Sequence, residues 1–160
     1  MQRLGDGPLT ALVPGRAVWL DGGHNPDAGR AIAAFFNAGG DAPPSTGSGR
    51  ADVAPCPAQA KLVEAHARHL HLVIGMLANK NPSAILTPLA DRLLSVSAVP
   101  VPAHDSHPPE AFAPFTDLPV PGFDSVAEAM RALSPEGDVL IAGSLYLAGE
   151  VLRLNGELPT

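Results

Sequence analysis

A short apolar run, Ala17-Val18-Trp19-Leu20, breaks at once into Asp21-Gly22-Gly23-His24-Asn25-Pro26, and Ala28 to Phe36 then carry a helical pattern. This order constrains the chain more than any other feature. A strand ends in an acid, two glycines allow a tight turn, and a helix starts. Asn25 is a favoured N-cap, and Pro26 suits the first helical position because its missing N–H would be an orphan there. In an open α/β sheet, ligands sit in the crevice outside the carboxyl ends of the strands. Asp21 and His24 are therefore expected to point into such a crevice.

The rest of the chain repeats the alternation, which reads as a largely parallel sheet with helices on both faces. The first helix is predicted over Pro26–Asn37, with Ala28, Ile32, Phe35 and Phe36 on its apolar face and Gly39-Gly40 as its stop. Residues 41–57, rich in Pro, Gly, Ser and Ala, read as a flexible insertion, and Ala58 to Arg68 has a weak helical pattern. A second strand is expected over His71–Met76. A helix follows over Ser83–Leu94, with Ile85, Leu86, Leu89 and Leu93 inward and Pro88 as a kink. A third strand is expected over Ser95–Val101. A Pro-rich loop to Pro121 holds a short helix near Glu110–Phe115. Asp124 or Ser125 caps a helix through Leu133, with Glu128 completing a capping box if Ser125 is the cap. The last strand is Val139–Ala142 and the last helix Leu145–Leu154, stopped by Asn155-Gly156. Residues 1–160 read as a single domain, with neither an internal repeat nor a second domain.

Composition narrows the function. The net charge is -6, the aromatics number five Phe, one Trp and one Tyr, and no basic stripe is present, so nucleic acid is not an expected partner. No apolar run is long enough to span a bilayer, and the first residues do not form a signal peptide. The single Cys56 excludes an internal disulfide and suits a reducing cytoplasm. It reads as an unpaired loop thiol, without the helix N-terminus or basic neighbour that activates one.

Several familiar site patterns are missing. The lysines are Lys61 and Lys80 and no P-loop is present; GxGxxG, HExxH and CxxC are also absent. His66, His69 and His71 come without an Asp, Glu or Cys pattern of metal-ligand spacing, so they read as surface or capping residues rather than metal ligands. His104, Asp105 and His107 read the same way, and the two prolines after His107 suggest no chemistry. What remains is three strand-to-helix turns that a parallel sheet brings to one edge. They are Asp21 to Pro26, Gly75-Met76-Leu77-Ala78-Asn79-Lys80-Asn81, and Ala142-Gly143-Ser144-Leu145-Tyr146. Together they offer a carboxylate with an imidazole, an ammonium with amides, and a hydroxyl at a helix start. That set suits a ligand with negative and positive parts. Each group also has a plainer reading: turn residue for Asp21, turn cap for His24, solvated charge for Lys80, N-cap for Ser144.

These three segments, in this order, resemble the C-terminal domain of bifunctional folylpolyglutamate synthase/dihydrofolate synthase, in the Mur ligase superfamily. Asp21-Gly22-Gly23-His24-Asn25-Pro26 is similar to the family's Asp-Gly-(Gly or Ala)-His-Asn-Pro turn. Gly75 to Asn81 resembles its Gly-Met-Leu-x-(Asp/Asn)-Lys-Asp turn, and Gly143-Ser144-Leu145-Tyr146 resembles its closing Gly-Ser-Leu-Tyr segment. The resemblance implies a Rossmann-like, mostly parallel sheet and an ATP-dependent ligase. In such a ligase ATP phosphorylates the carboxylate of dihydropteroate or of a folate tail, and the amine of L-glutamate attacks the acyl phosphate.

By the same resemblance, Asp21 would contact ATP. His24 and Ser144 would be catalytic, lining the side where glutamate meets the acyl phosphate. Lys80 and Asn25 would be cleft contacts. Magnesium and the P-loop would belong to an N-terminal domain, which is the implied partner together with folate or dihydropteroate and L-glutamate. The family's ATP-binding arginine would stand just before Met1; Arg16 mimics its setting but lies too close to Asp21. The chain is thus expected to be a domain fragment, an internal start or one half of a split gene, inactive alone. A stand-alone nucleotide- or amino-acid-binding module is the alternative. A peptidoglycan-type Mur domain is disfavoured by the Gly-Ser-Leu-Tyr and Gly-Met-Leu segments.

Overall fold

A computed structural model describes residues 1–39 and 70–157. The expected insertion at 41–57, the weak helical pattern after it, Cys56, Lys61, His66 and His69 lie outside the described residues. The elements are β1 (Gln2–Arg3), β2 (Val18–Asp21), α1 (Pro26–Asn37), β3 (Leu70–Ile74), α2 (Ser83–Leu89), β4 (Leu93–Ala98), α3 (Val126–Arg131), β5 (Asp138–Ala142) and α4 (Leu145–Leu154). They form one sheet in the order β1-β2-β5-β3-β4. β1 pairs antiparallel with β2, and every other neighbour is parallel. This is the expected fold class, a Rossmann-like mostly parallel sheet covered on both faces.

Strand residues divide between the two faces by simple alternation. On one face Leu72, Ile74, Leu140 and Ala142 pack with Ile32 of α1 and with Ile85, Leu86 and Leu89 of α2. On the other, Val73, Val139 and Ile141 pack with Val126, Ala129 and Met130 of α3 and with Leu147 and Val151 of α4. Every residue of β3 is buried, as befits a parallel strand covered twice. Burying each of its large aliphatic side chains contributes roughly 1.5–3 kcal/mol, so β3 and β5 form the spine of the domain.

The helix caps follow the local chemistry. The Asn25 side chain accepts from Ala28 N–H with Pro26 at the first position. Ser125 accepts from Glu128 N–H, while the Glu128 carboxylate accepts from the N–H of Asp124, one residue ahead of the cap. α4 is capped by Ser144 and by Asn155, followed by Gly156 at φ +75°, a left-handed value that costs glycine little.

Four expectations need correction. The helix after Asn81-Pro82 stops at Leu89, since Pro88 lacks an N–H and crowds the preceding turn. A 3-10 turn, Ala90–Arg92, follows, and Leu93 opens β4 instead of packing as a helical residue. In α1 the buried positions are Gly29, Ile32 and Ala33. Phe35 and Phe36 are half-buried against Trp19, with Trp19–Phe35 ring centroids 4.8 Å apart. β1 was not foreseen, because two exposed residues carry no pattern and their partners Leu20 and Trp19 define the strand.

The fourth correction concerns His71, which is neither at the surface nor a cap. It is 2% exposed, near the amino edge of the sheet. Its Nε2–H donates to the Glu136 carbonyl at 2.6 Å, and Nδ1 meets the Ser95 hydroxyl at 2.6 Å. Burial, the dominant influence, pushes its pKa below the ordinary 6.5, and Arg16 acts in the same direction. Arg16 clasps the same loop, donating to the carbonyls of Ser134, Glu136 and Gly137.

Candidate functional site

The carboxyl ends of β2, β5 and β3 lie side by side. α1 leaves β2 toward one face, α4 leaves β5 toward the other, and α2 leaves β3 toward the first. Adjacent strands whose helices diverge make a topological switch point, where an open α/β sheet forms its crevice. The structure thus brings the three sequence-predicted turns to one edge.

Glycines set how closely these turns approach. A Cβ at Gly22 would overlap the Leu145 side chain. Gly143, at φ +112°, would place one 2.8 Å from the Gly75 carbonyl oxygen. The Gly75 N–H donates to the Ala142 carbonyl at 3.2 Å, extending the β3–β5 ladder into the turns.

Each predicted site residue has a defined setting. Asp21 is half-buried; Oδ1 accepts from Gly23 N–H at 2.7 Å and Oδ2 lies 2.9 Å from the Met1 amine. His24 is half-buried, with Nδ1 facing the Gly22 carbonyl at 3.4 Å. The Asn25 side-chain oxygen is committed to capping α1, at 2.8 Å from Ala28 N. Lys80 is half-buried and makes no ion pair among the described residues. Ser144 is 3% exposed and caps α4, its Oγ accepting from Tyr146 N–H at 3.1 Å. A hydroxyl that accepts one bond retains its own proton to donate.

Sequence reasoning missed three features of this edge. Leu145 is 69% and Tyr146 55% exposed, which leaves large apolar side chains uncovered beside polar groups. His104 stacks on Tyr146, with centroids 3.8 Å apart and rings 26° from parallel. It follows Ala103, whose φ of +60° marks a tight left-handed turn. His107, for which the sequence offered no purpose, donates from Nε2 to the Lys80 carbonyl at 2.6 Å. No local pattern signals either histidine, since each meets a residue distant in the chain.

Among the described residues, no group of three or more His, Cys, Asp or Glu is placed to hold a metal, and no helix is long and apolar enough to cross a membrane.

No family model and no curated protein sequence matches the chain. Solved structures do. Folylpolyglutamate synthase from Thermotoga maritima superposes with a TM-score of 0.63 at 19% identity, over 97% of this chain and 30% of that one. The Mycobacterium tuberculosis folylpolyglutamate synthase, complexed with ADP and AMPPCP, gives 0.60 at 20% identity, over 98% and 34%. A bifunctional folylpolyglutamate synthase/dihydrofolate synthase with Mn, AMPPNP and L-glutamate bound gives 0.58 at 20% identity, over 95% and 30%. The likeness establishes the fold, and the chain spans about a third or less of the length of these structures.

Proposed function

We propose that this chain is the C-terminal domain of an ATP-dependent ligase that adds L-glutamate to dihydropteroate or to a folate tail, completed by a separate nucleotide-binding domain. The observation that carries the proposal is the convergence of the Asp21–His24, Lys80 and Ser144 turns at one switch-point crevice. The fold is shared with synthases solved with nucleotide and, in one case, L-glutamate. Exposed Leu145 and Tyr146 suit a face that a second domain covers.

When bound, ATP supplies the phosphoryl group that activates the acceptor carboxylate. The chain's residues then position the second reactant. Lys80, an ammonium without an ion pair among the described residues, would hold a glutamate carboxylate. Ser144 would add a hydroxyl donor at the start of α4. His24 turns Nδ1 to the Gly22 carbonyl, which leaves Nε2 to take the proton that the glutamate ammonium must lose before it attacks. Asp21, which as a carboxylate only accepts, fits the hydroxyl-bearing side of a nucleotide rather than its phosphates. Magnesium would be held with the nucleotide phosphates by the other domain. Most of the acceleration would come from holding the amine against the acyl phosphate.

The test is ATP-dependent transfer of labelled L-glutamate to dihydropteroate and to tetrahydrofolate. It is run with this chain alone and with it joined to a P-loop domain of a synthase of this fold. No turnover alone and turnover in the joined form are expected. Binding of L-glutamate or nucleotide with no turnover in any combination would instead favour a stand-alone binding module.

A further inference from the structure

The Pro-rich segment after β4 holds a side chain that the proposed crevice does not use. Residues 105–107 run antiparallel to the turn that carries Lys80. Leu77 and Ser106 form a bridge, Ala78 N–H donates to the Asp105 carbonyl at 3.0 Å, and His107 N–H donates to the Met76 carbonyl at 2.9 Å. The His107 imidazole then reaches past this bridge and donates from Nε2 to the Lys80 carbonyl at 2.6 Å. With Lys80 N–H bonded to the Leu77 carbonyl at 2.9 Å, both backbone polar groups of Lys80 are held.

The imidazole is itself braced. It packs edge-on against Phe112, with ring centroids 5.9 Å apart, and Phe112 is fully buried. Pro108 and Pro109 follow directly, so the backbone of His107 and of the residues after it is restricted. A rigid donor thus meets a turn whose regular hydrogen bonds end at Leu77–Lys80.

We infer that His107 is a positioning residue that fixes the Lys80 turn through the Lys80 carbonyl, and so sets where the Lys80 ammonium is presented to an amino-acid carboxylate. The ligand half of this inference rests on the function proposed above; the hold on the turn does not. His107→Gln keeps an N–H donor of similar reach, and His107→Phe keeps the ring and removes the donor.

Amide hydrogen exchange and L-glutamate titration, both followed by NMR on the full chain, test the two halves. In His107→Phe the amides of Ala78 and Lys80 are expected to exchange about three- to tenfold faster, the loss of one hydrogen bond, while β3 and β5 amides stay unchanged. L-glutamate affinity should fall by a similar factor. His107→Gln should restore both to within about twofold. Unchanged exchange at Ala78 and Lys80 in His107→Phe, or a His107→Gln variant no better than His107→Phe, would overturn the positioning role. Faster exchange with unaltered glutamate affinity would overturn the ligand half. An unaltered affinity in Lys80→Met would overturn the reading of Lys80 while leaving the exchange result to judge His107 by itself.

Discussion

The approach of α1 to α2 gives the sharpest stability prediction. Gly29 sits one turn into α1, just after the His24–Asn25 turn, and is buried. A Cβ there would overlap the carbonyl oxygen of Ala84 in α2 and lie 3.2 Å from the Pro88 ring. The obstacle is backbone, which cannot swing aside as a side chain would. Gly29→Ala should therefore force the helices apart by about an ångström and loosen Ile32 against Ile85 and Leu89.

Two effects compete. Alanine in a helix gains about 1 kcal/mol over glycine, whereas overpacking costs about 1–3 kcal/mol and the separated surfaces lose dispersion contact as well. The overlap with backbone puts the balance at a net loss of about 1–2 kcal/mol. Urea unfolding followed by the Trp19 fluorescence that β2 supplies would read this as a midpoint lower by about 0.5–1 M. Ala31→Gly, on the exposed side of the same helix, calibrates the propensity term alone and should cost about 1 kcal/mol. A Gly29→Ala protein stabilised by the propensity amount would refute the claim that backbone contact sets this helix spacing.

Other outcomes follow from single groups. Asn155 is 2% exposed, accepts from Leu9 N–H at 3.0 Å and donates to the Gly5 carbonyl at 3.0 Å. Asn155→Ala should cost about 2–4 kcal/mol in urea unfolding by leaving the N-terminal loop's groups unpaired; a loss below about 0.5 kcal/mol would show that water replaces it. His71 is held with its pKa below 6.5 by burial. The unfolded chain therefore binds more protons between the folded value and 6.5, and this stability is complete above about 6.5 and lost as pH falls toward the folded value. Thermal melts from pH 7.5 to 5.5 should fall less steeply in His71→Gln than in wild type; equal slopes would contradict the assignment. Ser144→Ala removes the α4 cap and should cost about 1 kcal/mol in the same melts. By the proposed function it should also weaken L-glutamate binding, whereas Ser125→Ala, the cap of α3 and not part of the three turns, should not.

Part of this protein is determined locally and can be read as such. Residues 26–37 and 145–154 are helical between the predicted bounds because Asn25–Pro26, Ser144 and Asn155–Gly156 act through their own neighbours. The convergence of the three turns was also legible, since parallel strands must bring their carboxyl ends to one edge. Other features depend on what lies across the fold. Leu93 belongs to β4 because β3 offers it a partner, although its spacing continues the α2 pattern. Gln2–Arg3 is a strand only beside Leu20 and Trp19. His71 becomes a buried strap between β3 and the loop before β5, and His107 a brace on Lys80, through carbonyls 65 and 27 residues away. Hydrogen bonds to distant backbone leave no periodicity or motif in the chain. Sequence alone could therefore place the three turns at one edge of the sheet, while packing chose the groups that hold them there.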